Sequence, residues 1–156
     1  KGMPEKLILG LDVATKTGWT LMREGKVYES GVQDFSKRRG ESNGAMFLRF
    51  RNWINYLIKN NPIECVIYEQ AHHRGGAATE ICVNLTGRVQ EACAEHGIEY
   101  ATVHTSTLKK WACGHGKADK GQMMARAVTY LGRKPIDDNE ADACLIAAYG
   151  FEEYGG

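Results

Sequence analysis

Two short apolar runs, each closed by a carboxylate, constrain this chain more than any other feature. Leu7-Ile-Leu-Gly-Leu-Asp-Val13 is almost unbroken hydrocarbon with Asp12 near its end, and Cys65-Val-Ile-Tyr68 is followed at once by Glu69. Runs of this length are buried strands, because a strand covered on both faces needs no polar alternation. An unpaired carboxylate is costly to bury, so each acid belongs at the end of its strand. If the two strands are parallel neighbours, Asp12 and Glu69 meet at the edge where open α/β sheets bind ligands.

The rest of the chain alternates in the same manner. Thr17 to Met22 and Lys26 to Phe35, joined at Arg23-Glu24-Gly25, read as hairpin strands beside the first run. A polar, glycine-punctuated loop spans Lys37 to Gly44. Phe47, Phe50, Trp53, Ile54, Leu57 and Ile58 recur at helical spacing, and Asn60-Asn61-Pro62 stops that helix. A long helix runs from Ala77 to Ala94, followed by a strand over Ile98 to Val103. Three further helices cover Thr105 to Ala112, Lys120 to Leu131 and Asn139 to Phe151, with a loop from Gly114 to Ala118. Three hairpin strands followed by helices alternating with strands predict one α/β domain, a mixed central sheet flanked by helices. At 156 residues one domain is the expected count. It spans residues 3–156, and Lys1-Gly2 ahead of Met3 reads as an expression scar.

Charge is distributed unevenly about a formal total of +1. His104 to Pro135 holds seven basic residues against one acid, while Ile136 onward holds six acids and neither Lys nor Arg. A basic block beside an acidic one suits a metal-dependent enzyme acting on a polyanion, with cations on phosphates and carboxylates on a hard divalent ion. It also suits two solvated helix faces of opposite sign. Within the acidic block Asp138 and Asp142 lie four apart at the start of the last helix, and so share a face. Oxygen donors of this kind favour Mg²⁺ or Mn²⁺ over zinc.

Four motifs then occur in order: Leu9-Gly-Leu-Asp-Val-Ala-Thr-Lys-Thr-Gly-Trp19; Ile67-Tyr-Glu-Gln70; Leu108-Lys-Lys110 with Gly116-Lys-Ala-Asp-Lys120; and Asp138-Asn-Glu-Ala-Asp-Ala143. Together they resemble the RuvC-type Holliday junction resolvases, most of all the compact phage-type versions, over about Leu7 to Tyr149. The resemblance implies an RNase H-like fold and a homodimer that nicks two strands of four-way DNA with 5′-phosphate products. It also implies Mg²⁺, with Mn²⁺ as its substitute, two ions per site, and no nucleotide cofactor.

Carried over residue by residue, the resemblance makes Asp12, Glu69 and Asp142 metal ligands and catalytic residues. The family places an acid or His three residues before the last Asp, where this chain has Asn139. The fourth ligand is therefore either Asp138, one residue earlier, or the carbonyl of Asn139. Lys109 and Lys120 match basic residues near the scissile phosphate, with Lys120 counted among the catalytic set. Lys110, Lys117 and Arg126 would position the DNA arms. His72 occupies the place of an aromatic that stacks at the crossover, followed by His73 and Arg74.

Other features exclude more than they propose. The five cysteines form no C-x-x-C pair and sit among apolar neighbours, which fits buried thiols in a reducing, cytoplasmic compartment. No apolar run approaches the ~20 residues of a membrane helix. Trp53 and Trp111 fall at helical apolar positions and read as core, and the Ala77–Ala94 helix is the candidate dimer interface. Asp12-Val-Ala-Thr-Lys-Thr-Gly18 also resembles the phosphate loop of actin-like ATPases, which require two such domains. A flap or fork nuclease and a non-catalytic junction-binding protein keep the fold and change the role.

Overall fold

A computed structural model describes residues 6–70 and 75–155. Five strands form one sheet: β1 (Leu7–Asp12), β2 (Lys16–Arg23), β3 (Lys26–Asp34), β4 (Ile63–Glu69) and β5 (Glu99–Val103). Five helices follow or interrupt them: α1 (Asn43–Asn60), α2 (Ala77–His96), α3 (Thr105–Cys113), α4 (Lys120–Leu131) and α5 (Asp138–Tyr154). The sheet order is β3-β2-β1-β4-β5. β1 pairs antiparallel with β2 and parallel with β4, and β4 pairs parallel with β5. The expected mixed sheet flanked by helices is the observed one.

Period-2 alternation assigns the two faces. Leu7, Leu9 and Leu11 of β1 with Val66 and Tyr68 of β4 pack under α1 and α2, where Phe50, Ile54, Leu85 and Val89 complete one core. Ile8, Cys65 and Ile67 point the other way, against Leu108 of α3, Met123 and Ala127 of α4 and Leu145 of α5. The molecule is thus three layers deep, with the sheet buried on both sides.

Local chemistry sets the element ends. Glu24 (φ 50°) and Gly25 (φ 78°) turn β2 into β3, the paired positive φ that a two-residue hairpin turn requires. Ser42 caps α1 by accepting from the Ala45 N–H, so that helix starts inside the stretch expected to be loop. Asp119 and Gln122 form a reciprocal capping box on α4. Asp137 caps α5 by accepting from the Glu140 N–H, so Asp138 belongs to the first turn of the helix rather than to its cap.

Several side-chain expectations are met with qualifications. Trp53 is partly buried and meets Phe35, Phe50 and Trp19, while Trp111 is partly buried between Tyr130 and Tyr149. Cys65, Cys93 and Cys144 are buried free thiols, and Cys82 and Cys113 are partly exposed. The apolar stripe of α2 (Leu85, Val89, Ala92, Cys93) is spent on the core, and of its large apolar side chains Val83 is the exposed one among the described residues. Among the described residues no helix is long and apolar enough to cross a membrane.

Candidate active site

Asp12 and Glu69 close β1 and β4, one step beyond the Leu11–Tyr68 register pair. Both continue the alternation of Ile8 and Cys65–Ile67, which places them on the face covered by α5. α5 lies directly on β1. A Cβ on Gly10 would sit 2.5 Å from the Ala147 nitrogen and 2.6 Å from the Ala143 carbonyl oxygen, and a Cβ on Gly18 would run into the Asn139 carbonyl. Two residues without side chains therefore let the helix backbone rest against the sheet, with Asp142 beside the strand ends. These contacts lie inside the Leu9–Trp19 motif, although hydropathy alone gives them no signal.

The acids lie in one another's electrostatic field. Burial, then the charges of Asp142, Glu69, Asp138 and Asp137, hold the Asp12 carboxyl well above the usual carboxylate range. Asp142 is pushed up to about 7 by burial and by Glu69 and Asp138, with Lys109 and Lys120 pulling the other way. Lys120 Nζ lies 3.3 Å from Asp138 Oδ2 while its side chain stays 83% exposed. Thr105, at the first position of α3, donates its hydroxyl to Glu69 Oε2. Nothing in the sequence marks Thr105 beyond its place one turn-residue after β5.

A cleft opens from this cluster toward α2, lined by Asp12, Val13, Glu69, Gln70, Thr79 and Cys82. Cys82 donates to the Val13 carbonyl at 3.7 Å, and burial first, then Asp12, raises its thiol above the ordinary range.

The expected ligand set is gathered without being closed into a chelate. Among the described residues no three His, Cys, Asp or Glu side chains converge on one point. What the structure supplies is a donor set of hard oxygens whose mutual repulsion a divalent cation would relieve. Asn139 turns its amide toward Asp137, Nδ2 to Oδ2 at 3.4 Å, whereas Asp138 contributes to the fields at both Asp12 and Asp142.

The basic residues divide by environment. Lys110 and Lys117 are exposed and Lys109 is partly buried. Arg126 donates from Nε to the Ala112 carbonyl at 3.0 Å and stacks over Tyr130, tying α4 to the end of α3. His72, His73 and Arg74 fall outside the described residues.

A mixed sheet of this order, with carboxylates ending two adjacent parallel strands and a further acid on the helix laid across them, defines an RNase H-like fold. No protein-family model matches the chain. It is 27% identical to the crossover junction endodeoxyribonuclease RuvC of Nitratidesulfovibrio vulgaris over 154 residues, 89% of this chain and 87% of that protein. The RuvC of Clostridioides difficile is 30% identical over 97 residues, 60% of this chain and 57% of that protein. The fold superposes on Thermus thermophilus RuvC with a TM-score of 0.79 at 20% identity, covering 96% of each chain. The same protein in complex with a Holliday junction substrate gives 0.80, with 92% of this chain and 91% of that one covered. The yeast mitochondrial Holliday junction resolvase Ydc2 gives 0.64 at 12% identity, covering 93% of this chain and 78% of that one. Over most of its length the chain is similar to RuvC proteins, and it shares their fold.

Proposed function

We propose that this protein is a structure-selective DNA endonuclease that resolves four-way junctions by metal-dependent hydrolysis of one phosphodiester in each of two strands. The observation that supports this reading is the placement of Asp12 and Glu69 at adjacent parallel strand ends, in one electrostatic field with Asp142, Lys109 and Lys120.

Asp12, Glu69 and Asp142 would hold Mg²⁺ or Mn²⁺, with Asp138 rather than Asn139 as the fourth donor. Asp138 lies in the shared field and Asn139 is turned to Asp137. An ion held there would ease deprotonation of an attacking water and offset charge on the phosphoryl oxygens. The protein's own parts do the positioning. The strand holds Asp12 while the Thr105 hydroxyl orients Glu69, so neither carboxylate has to be ordered when substrate arrives. Lys120, at the mouth of the cluster and largely exposed, can move from Asp138 to a phosphate as DNA enters. Lys110 and Lys117 contact the backbone of the arms, which fixes register without reading sequence. A two-fold dimer would present two such sites to symmetry-related strands.

The test is substitution at the strand ends. Asp12→Asn and Glu69→Gln should abolish cleavage of a four-way junction in Mg²⁺ while leaving junction binding intact. Nicking at the full rate by either variant would sink the site, and equal cutting of flaps and forks by the wild type would widen the substrate to branched DNA in general.

A further inference from the structure

Glu140 is 0% exposed, although it lies between Asp138 and Asp142 in the sequence. Its carboxylate is fully engaged elsewhere. Arg133 donates from Nη1 to Oε1 at 3.0 Å and from Nη2 to Oε2 at 2.5 Å, and the Ile136 N–H donates to Oε1 at 2.7 Å. Ser30 of β3 lies beside it and favours its charged form, and the Ser30 hydroxyl meets Thr20 of β2 at 2.9 Å and the Trp19 carbonyl at 3.3 Å. The bonds therefore join the first turn of α5 to the α4–α5 linker, with the outer strands of the sheet alongside.

Helical geometry explains what this joint does. At 3.6 residues per turn, Glu140 points roughly 200° away from both Asp138 and Asp142. With Glu140 anchored toward β2 and β3, those two acids face the ends of β1 and β4. We propose that Glu140 and Arg133 are positioning residues for the metal-binding acids of α5, setting the rotation of its first turn. The proposal rests on the metal-dependent reading above. It also separates Arg133 from the other cations of the basic block. Although Arg133 is 46% exposed, leaving Glu140 for a DNA phosphate would strand a buried carboxylate, so Arg133 acts within the protein and not on DNA.

Metal binding can be followed without DNA by Tb³⁺ luminescence, alongside the melting temperature, in four proteins: wild type, Glu140→Gln, Arg133→Lys and Ile54→Ala. Ile54 lies in the core on the opposite side of the sheet, so Ile54→Ala reports destabilisation alone. Partners that orient metal ligands typically govern affinity by 10–100-fold. Glu140→Gln and Arg133→Lys should therefore weaken Tb³⁺ binding by about tenfold or more, and Ile54→Ala should lower the melting temperature with affinity within about twofold. Arg133→Lys keeps the charge and carries the test if Glu140→Gln does not fold. Unchanged affinity in the folded variants, or an equal loss in Ile54→Ala, would overturn the positioning role. Absence of Tb³⁺ binding by the wild type would instead overturn the metal site itself.

Discussion

Substituting Gly10 by Ala adds a single methyl group at the point where α5 rests on β1. That carbon would lie 2.5 Å from the Ala147 nitrogen, 2.6 Å from the Ala143 oxygen and 2.7 Å from the Ala147 Cβ. Unstrained contacts between such atoms lie near 3.5–4.0 Å, so helix and strand must separate by roughly 1 Å. Two of the three obstructing atoms are backbone and cannot rotate aside. Overpacking of this kind costs about 1–3 kcal/mol, which for a domain of this size lowers the melting temperature by roughly 2–12 °C. The effect on function should be larger than the effect on stability. Asp142 immediately precedes Ala143, and Asp12 lies two residues beyond Gly10, so the displacement opens the site itself. A misplacement of about 1 Å can cost on the order of 100-fold in rate. Single-turnover junction cleavage at 20 °C, where the variant remains folded, should fall by that order, while junction binding in EDTA is retained. Wild-type cleavage by a Gly10→Ala protein would refute the claim that this backbone contact fixes the acids.

Three further outcomes follow from the same geometry. Gly87 sits inside α2 with nothing within 4 Å of a would-be Cβ, so Gly87→Ala should stabilise the protein by about 0.5–1 kcal/mol in a thermal melt. Because Asp12 and Asp142 are raised, the latter to about 7, the folded metal-free protein holds protons that the unfolded chain releases near pH 4. That contribution is present at low pH and lost as pH rises toward 7, so the melting temperature in EDTA should fall between pH 5 and 8. Millimolar Mg²⁺ should restore it most at pH 8, where protons compete least; equal Mg²⁺ stabilisation at both ends would contradict this. Asp12→Asn removes one of the repelling charges, and should raise the melting temperature in EDTA while cancelling the Mg²⁺ increment.

The strand-end acids were legible in the sequence because an apolar run leaves nowhere else for a carboxylate to go. Asp142 and its neighbour four residues earlier were legible from helical spacing alone. The joint at Glu140 was not, since one acid among six in a block looks like solvated charge, and its partner Arg133 looks like one more phosphate contact. Which of two signs of environment a charged residue meets depends on the Ser30 and Thr20 hydroxyls of another element. Arg126 shows the same limit: its place in the basic block gives no sign of the hydrogen bond to Ala112 that ties two helices together. The start of α1 shifted into the stretch read as loop, because a cap such as Ser42 is decided by one side chain–backbone bond and not by periodicity.

On the proposed reading, the carboxylates of β1, β4 and α5 form a divalent-ion site for cutting branched DNA. Cleavage of an end-labelled four-way junction beside a linear duplex of the same sequence, in Mg²⁺, Mn²⁺, Ca²⁺ or EDTA, tests it most directly. Symmetric nicks on the junction are expected in Mg²⁺ or Mn²⁺, with an intact duplex under all four conditions. Junction binding without cleavage in every metal, or cleavage that persists in EDTA, would contradict it.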